Sequence, residues 1–182
     1  MLIRILSFLL DTLFFVLIGA ALLRAWMNRL RINMNAQPGV FVMAVTDWLV
    51  KPLRRLLPTA LAKARTDWAS LLAGLLLALL YALLWAALVG ALLNLSAAML
   101  PGLLLVALKM FVRVALQLAF AVVLVYALMS WLQPGSPMYG LLGRLAGPLL
   151  APLRRFIPAI GGIDLSALVL LLLLQIGLMV LG

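Results

Sequence analysis

Hydrophobic residues fall into four long runs, roughly Leu2 to Leu23, Ala69 to Leu93, Leu103 to Trp131 and Leu165 to Leu181. A helix needs about 20 apolar residues to cross roughly 30 Å of hydrocarbon, and the runs meet that length, the fourth with little margin. None alternates with period two, and Leu and Ala dominate, which predicts spanning helices and not a barrel. The connections after the first and third runs carry their own helical periodicity. Between Gly39 and Lys51, Phe41, Ala44, Val45, Trp48 and Leu49 share one stripe, with Asp47 and Lys51 on the other face. In the later connection Met138, Leu141, Leu142, Leu145 and Leu149 share a stripe opposite Arg144. Such segments read as amphipathic helices in the membrane interface, with a re-entrant or packing helix as the alternative.

The two halves repeat one another. Pro52-Leu53-Arg54-Arg55-Leu56-Leu57-Pro58 returns as Pro152-Leu153-Arg154-Arg155-Phe156-Ile157-Pro158. Trp26 with Gln37-Pro38-Gly39, and Trp131 with Gln133-Pro134-Gly135, precede the two copies; Asp67 and Asp164 follow them. The expected architecture is therefore all-α and integral to the membrane: four transmembrane helices in two parallel repeats, 1–98 and 99–182, each with a cytoplasmic amphipathic helix between its spans. A proline at a first helical position loses no needed hydrogen bond, so Pro52 and Pro152 are expected to open short helices that Pro58 and Pro158 stop.

Composition sharpens this picture. The 182 residues are 68% hydrophobic and 10% charged, against about 45–50% and 25% for soluble domains. With no Cys and no His, neither a disulfide framework nor a thiolate or imidazole metal site can form, and no cofactor is implied. The N-terminus resembles a signal peptide, but its apolar run exceeds the usual h-region of about 7–15 residues, so it reads as a retained helix.

The net charge of +10 reads as a topology signal and an attraction to anionic headgroups, and not as a nucleic-acid footprint. Arg24, Arg29, Arg31, Lys51, Arg54, Arg55, Lys63 and Arg65 lie in the first long connection, and Arg144, Arg154 and Arg155 in the second, eleven of the 14 basic residues. Short loops rich in Lys and Arg stay in the cytoplasm, which puts both termini in the periplasm; Arg4 argues the other way. Two-span repeats enter the membrane in the same orientation, unlike the inverted repeats of many transporters.

A row of small residues, Gly74, Ala78, Ala82, Ala86 and Gly90, recurs at four-residue spacing and predicts close helix packing. Within the spans, Asp11 and the line Lys109, Arg113 and Gln117 need partners. Aligning Trp26 with Trp131 brings Asp11 and Arg113 to within three residues of depth, about 4.5 Å, so they can pair, as a structural contact or as part of a relay. Asp67 and Asp164 read as N-caps of the second and fourth helices, with pairing to Arg154 or Arg155 as the alternative for Asp164.

Ser130-Trp131, Pro134, Ser136-Pro137, Tyr139, Pro148, the Pro152 to Pro158 block and Gly161-Gly162-Ile163-Asp164-Leu165-Ser166 resemble the YggT family of small integral membrane proteins, also called YlmG-like. Ala167 departs from the family's usual Pro, and Ala146-Gly147 from a polar pair. The resemblance spans both repeats. It implies a multi-pass bacterial inner-membrane protein of a family with no established enzymatic activity, with relatives linked to cell division, nucleoid distribution, cytochrome b6 assembly and osmotic or potassium homeostasis.

The residues themselves argue against catalysis: the chain has four carboxylates, all Asp, and no Glu, His or Cys, which removes most acid–base, nucleophilic and metal routes. The expected function is a scaffold or assembly factor. Arg54, Arg55, Arg154 and Arg155 would contact anionic headgroups or an acidic partner, such as a membrane or cell-division protein, and a homo-oligomer is compatible. Transport or channel function tied to osmotic or potassium homeostasis is the alternative.

Overall fold

The computed structural model describes residues 1–58, 66–88, 100–156 and 164–181. Gly90, Lys63, Arg65, Pro158 and the Gly161-Gly162 pair, all singled out above, lie outside the described residues. Six helices make up the described regular structure: α1 (Leu2–Arg29), α2 (Gly39–Leu56), α3 (Trp68–Leu88), α4 (Leu100–Leu132), α5 (Pro137–Arg154) and α6 (Leu165–Leu181). Helices α1, α3 and α4 are long and apolar enough to cross a membrane; α6, equally apolar, has 17 residues. The chain forms two compact units, Met1–Val114 and Ala115–Gly182, so α4 contributes its first turns to one and its remainder to the other.

In the first unit α1 packs along α3, and α2 packs against both. The α3 face that meets its neighbours carries Gly74, Ala78, Ala82 and Ala86, all buried. A Cβ on Gly74 would lie 3.1 Å from the Phe111 ring and 3.7 Å from Ala21 Cβ, so the missing side chain is what allows this approach. Phe14, Ile18, Leu77, Tyr81, Met110 and Val114 fill the adjoining core, and the Phe14 and Tyr81 rings meet edge to face with centroids 5.7 Å apart.

Helix α1 ends in a Schellman turn. Arg31 takes the left-handed conformation (φ 53°), the Ile32 N–H donates to the Met27 carbonyl and the Arg31 N–H to that of Asn28. Burial of both Met27 and Ile32 supplies the hydrophobic contact that usually accompanies this motif. The chain then returns tightly into α2: a Cβ on Gly39 would stand 2.6 Å from the Met34 backbone, which only glycine accommodates.

Two sequence expectations are corrected. The Pro-Leu-Arg-Arg segments do not form separate short helices. Helix α2 continues through Pro52 to Leu56, and α5 through Pro148 and Pro152 to Arg154. The inward face of α2 is Val42, Thr46 and Val50, while Phe41, Ala44 and Trp48 of the expected stripe are exposed. The reason lies across the interface, where buried Arg24 of α1 turns Thr46 and Asp47 toward itself. In α5 the inward face includes Leu142 and Leu145 with Ala146 and Leu150, and Arg144 is exposed. Ser136 caps α5, accepting from the Tyr139 N–H at 3.1 Å, and Pro137 opens its first turn.

Candidate functional site

One arginine of each pair meets a cap aspartate. In the first unit Asp67 directly precedes α3, and its carboxylate accepts from the Ser70 N–H at 3.3 Å and the Ser70 hydroxyl at 2.8 Å. The same carboxylate accepts from Asn28 Nδ2 at 2.5 Å and Arg54 Nη2 at 3.0 Å. One side chain thus joins the end of α1, the last turn of α2 and the start of α3. Only 7% of the Asp67 side chain is exposed. Burial pushes its pKa up, but the Ser70 and Asn28 hydrogen bonds and the Arg54 charge overcome that and hold it below the ordinary value. Beside it Arg29 donates to the Thr66 hydroxyl at 3.0 Å.

The second unit rebuilds the arrangement. Asp164 directly precedes α6 and accepts from the Ser166 N–H at 3.1 Å and from the Ser166 hydroxyl. Arg154, the last residue of α5, donates to Asp164 Oδ2 through Nε at 3.0 Å and Nη2 at 2.5 Å. Its Nη2 also reaches the Tyr126 hydroxyl of α4 at 3.1 Å. Tyr126 in turn stacks on Tyr139, with centroids 5.2 Å apart. Burial raises the Asp164 pKa, yet the Ser166 and Arg154 hydrogen bonds and the Arg154 charge bring it below the ordinary value. Desolvation works against the Arg154 charge, and its bonds to Asp164 and Tyr126 outweigh that, raising its pKa. Asp164, where sequence left cap and ion pair as alternatives, is both, and Asp67, read as a cap alone, also pairs with Arg54.

The two arginines of each pair therefore differ. Arg54 and Arg154 are latched to the next helix. Arg55 and Arg155 are exposed, and among the described residues no ion pair engages either.

Asp11 and Arg113 are not joined. The Asp11 carboxylate accepts from the Tyr81 hydroxyl at 2.7 Å, while Arg113 and Lys109 lie exposed on α4. Depth alone suggested the pair; the Tyr81 hydroxyl, on the α3 face that meets α1, reaches Asp11 instead. Sequence reasoning also missed Arg24, which is 5% exposed and donates through Nη1 to the Thr46 hydroxyl and to Asp47, both at 2.8 Å. Its Nε has no hydrogen-bond partner among the described residues. Lys51 completes the cluster at 2.8 Å from Asp47. The Lys51 hydrogen bond leads, with Arg24, in holding the Asp47 carboxyl below its ordinary pKa against burial. The available signal was Asp47 at i, i+4 to Lys51, which read as a solvated face. Among the described residues no group of three His, Cys, Asp or Glu comes together as a metal site.

The CCB3/YggT family model matches residues 2–88 and 105–182. An Escherichia coli K12 protein called YggT is 37% identical over 172 residues, covering 94% of this chain and 86% of its own. A Vibrio alginolyticus protein described by its place in the proC 3' region is 34% identical, covering 93% and 89% respectively. A Pseudomonas aeruginosa relative is 31% identical, covering 93% and 84%. No solved structure matches the chain.

Proposed function

Since the chain belongs to the CCB3/YggT family, we propose that it is a non-catalytic scaffold or assembly factor of the bacterial inner membrane, with four spans in two parallel repeats. Both termini are periplasmic, and the Arg-bearing ends of α2 and α5 face the cytoplasm, where they contact anionic headgroups or an acidic partner surface. The observation that carries this reading is the repeated latch. Arg54–Asp67 and Arg154–Asp164 fix the ends of α2 and α5 against the following helix, and each leaves the next arginine exposed beside the proposed membrane surface. The two stretches matched by the family model support two repeats, and the exposed Phe41, Ala44 and Trp48 suit an interfacial helix. Two of the four carboxylates serve as latches, a third binds Arg24 and the fourth Tyr81, so each already has a structural partner.

Potassium flux through liposomes carrying the purified full-length protein tests this reading against transport. The scaffold predicts flux no greater than in empty vesicles. Protein-dependent flux that saturates with potassium would replace it with the transport function.

A further inference from the structure

In the second unit a groove of about 280 Å³ opens between α4 and α6. Leu124 and Leu128 of α4 and Leu168 and Leu171 of α6 line it, together with Trp131, Tyr126 and Asp164. Trp131 lies one residue from the end of α4 and Asp164 just before α6 begins, so these two mark the mouth, and Leu124 and Leu171 lie further from it along their helices. Leu128 is 44% exposed, Leu168 54% and Trp131 68%, an apolar surface that no described residue covers. Tyr126 and Asp164 are both held by Arg154, so the latch borders the groove. Arg154 is neutralised by Asp164 at this border, and Arg155, the next residue along the chain, is exposed.

We propose that this groove is a binding site for an anionic phospholipid of the surrounding bilayer. One acyl chain lies along the leucines, the interface-loving indole of Trp131 packs at the mouth, and Arg155 engages the phosphate. A cavity near the lower end of the usual range, about 300 Å³, holds part of a chain and not a whole amphiphile. With Arg154 and Asp164 cancelling, the exposed Arg155 beside them supplies the charge that selects a headgroup with net negative charge over a zwitterionic one, and its guanidinium offers a two-pronged donor to phosphate. This inference rests on the proposed membrane placement of the α5 end and adds the site and the class of lipid.

The test uses full-length protein with Trp26, Trp48, Trp68 and Trp85 replaced by Phe, so that Trp131 alone reports. It is reconstituted with brominated phosphatidylglycerol or brominated phosphatidylcholine, and quenching is titrated. Phosphatidylglycerol should quench with an apparent affinity about fivefold higher, the preference expected of one arginine at a membrane surface. Arg155→Gln, at an exposed position, should remove the preference while leaving Trp131 accessible to both lipids. Ala127→Phe, which fills the groove, should remove quenching by the preferred lipid at unchanged thermal stability. Equal quenching by the two lipids in the parent protein overturns the proposal. Preference lost in Arg155→Gln but kept in a folded Ala127→Phe also overturns the groove, while leaving the headgroup contact of the proposed function intact. Absence of quenching by either lipid means that something other than lipid covers Trp131, a second copy or a protein segment, and rejects the site.

Discussion

Arg154 donates two hydrogen bonds to a single oxygen of Asp164, the residue that caps α6, while its Nη2 also reaches Tyr126 on α4. Three helices of one unit meet at that guanidinium. At the start of α3 the meeting point is the carboxylate instead: Asp67 accepts from Arg54 of α2 and from Asn28 of α1. The recurrence in both halves is what separates a latch from a chance surface ion pair, whose contribution is typically about 0–1 kcal/mol.

Removing the latch carboxylates should destabilise the protein unequally. Asp67→Ala deletes a cap and leaves Asn28 and Arg54 without their acceptor, a loss of about 1–3 kcal/mol. Asp164→Ala should cost less, because the Asp164 side chain is 26% exposed and Asp67 only 7%. Thermal unfolding in detergent, followed by helix signal, checks the order; an equal or reversed ranking contradicts it.

Acid should loosen both latches. Each carboxyl sits below its ordinary pKa of 3.8 in the folded protein. The stability it contributes is therefore fully present above that unfolded value and is lost as pH falls through the lower folded one. The unfolding temperature should hold between pH 7 and about pH 5 and fall below pH 4. An Asp67→Asn, Asp164→Asn double variant, starting lower, should show a smaller acid drop.

The close contact at the small-residue ridge sets another expectation. Ala82 is fully buried, so Ala82→Leu should overpack α3 and cost about 1–3 kcal/mol. Leu83→Ala, on the exposed side, should change stability by less than about 0.5 kcal/mol. Unfolding midpoints of the two variants in the same detergent decide it.

Topology follows from the basic residues of the long connections. A reporter active only in the periplasm should give signal when appended at the C-terminus and none when inserted near Gln37. The reverse pattern would move every Arg-bearing turn to the other side of the membrane.

Much of this was legible because membrane sequences announce themselves through uninterrupted apolar runs, and because four-residue spacing of small residues marks a packing face directly. The cap aspartates were legible too, each an acidic residue standing just before an apolar run. What stayed hidden depended on contacts between distant residues. Asp47 pairs with Arg24 from a position 23 residues away, and that bond, together with the buried Val42 and Val50, goes with the inward face of α2. The choice of Tyr81 over Arg113 for Asp11 likewise depends on how α1 and α3 meet, which sequence depth alone does not give. The continuation of α2 through Pro52 was obscured because proline usually marks a boundary; here it falls near an exposed C-terminal end, with Pro52 itself exposed.

The central claim is that the latched arginines hold the fold while Arg55 and Arg155 make the outward contact. Site-directed photocross-linking in living cells tests it most directly, with a benzophenone side chain placed at 55, at 155 or at the control position Leu83. Positions 55 and 155 should both yield adducts with anionic lipid or with one defined acidic partner, in contrast to the apolar lipid chains captured at Leu83. If 55 and 155 capture neither, or only the scattered products of a freely solvated site, the exposed arginines make no outward contact and the scaffold account is contradicted.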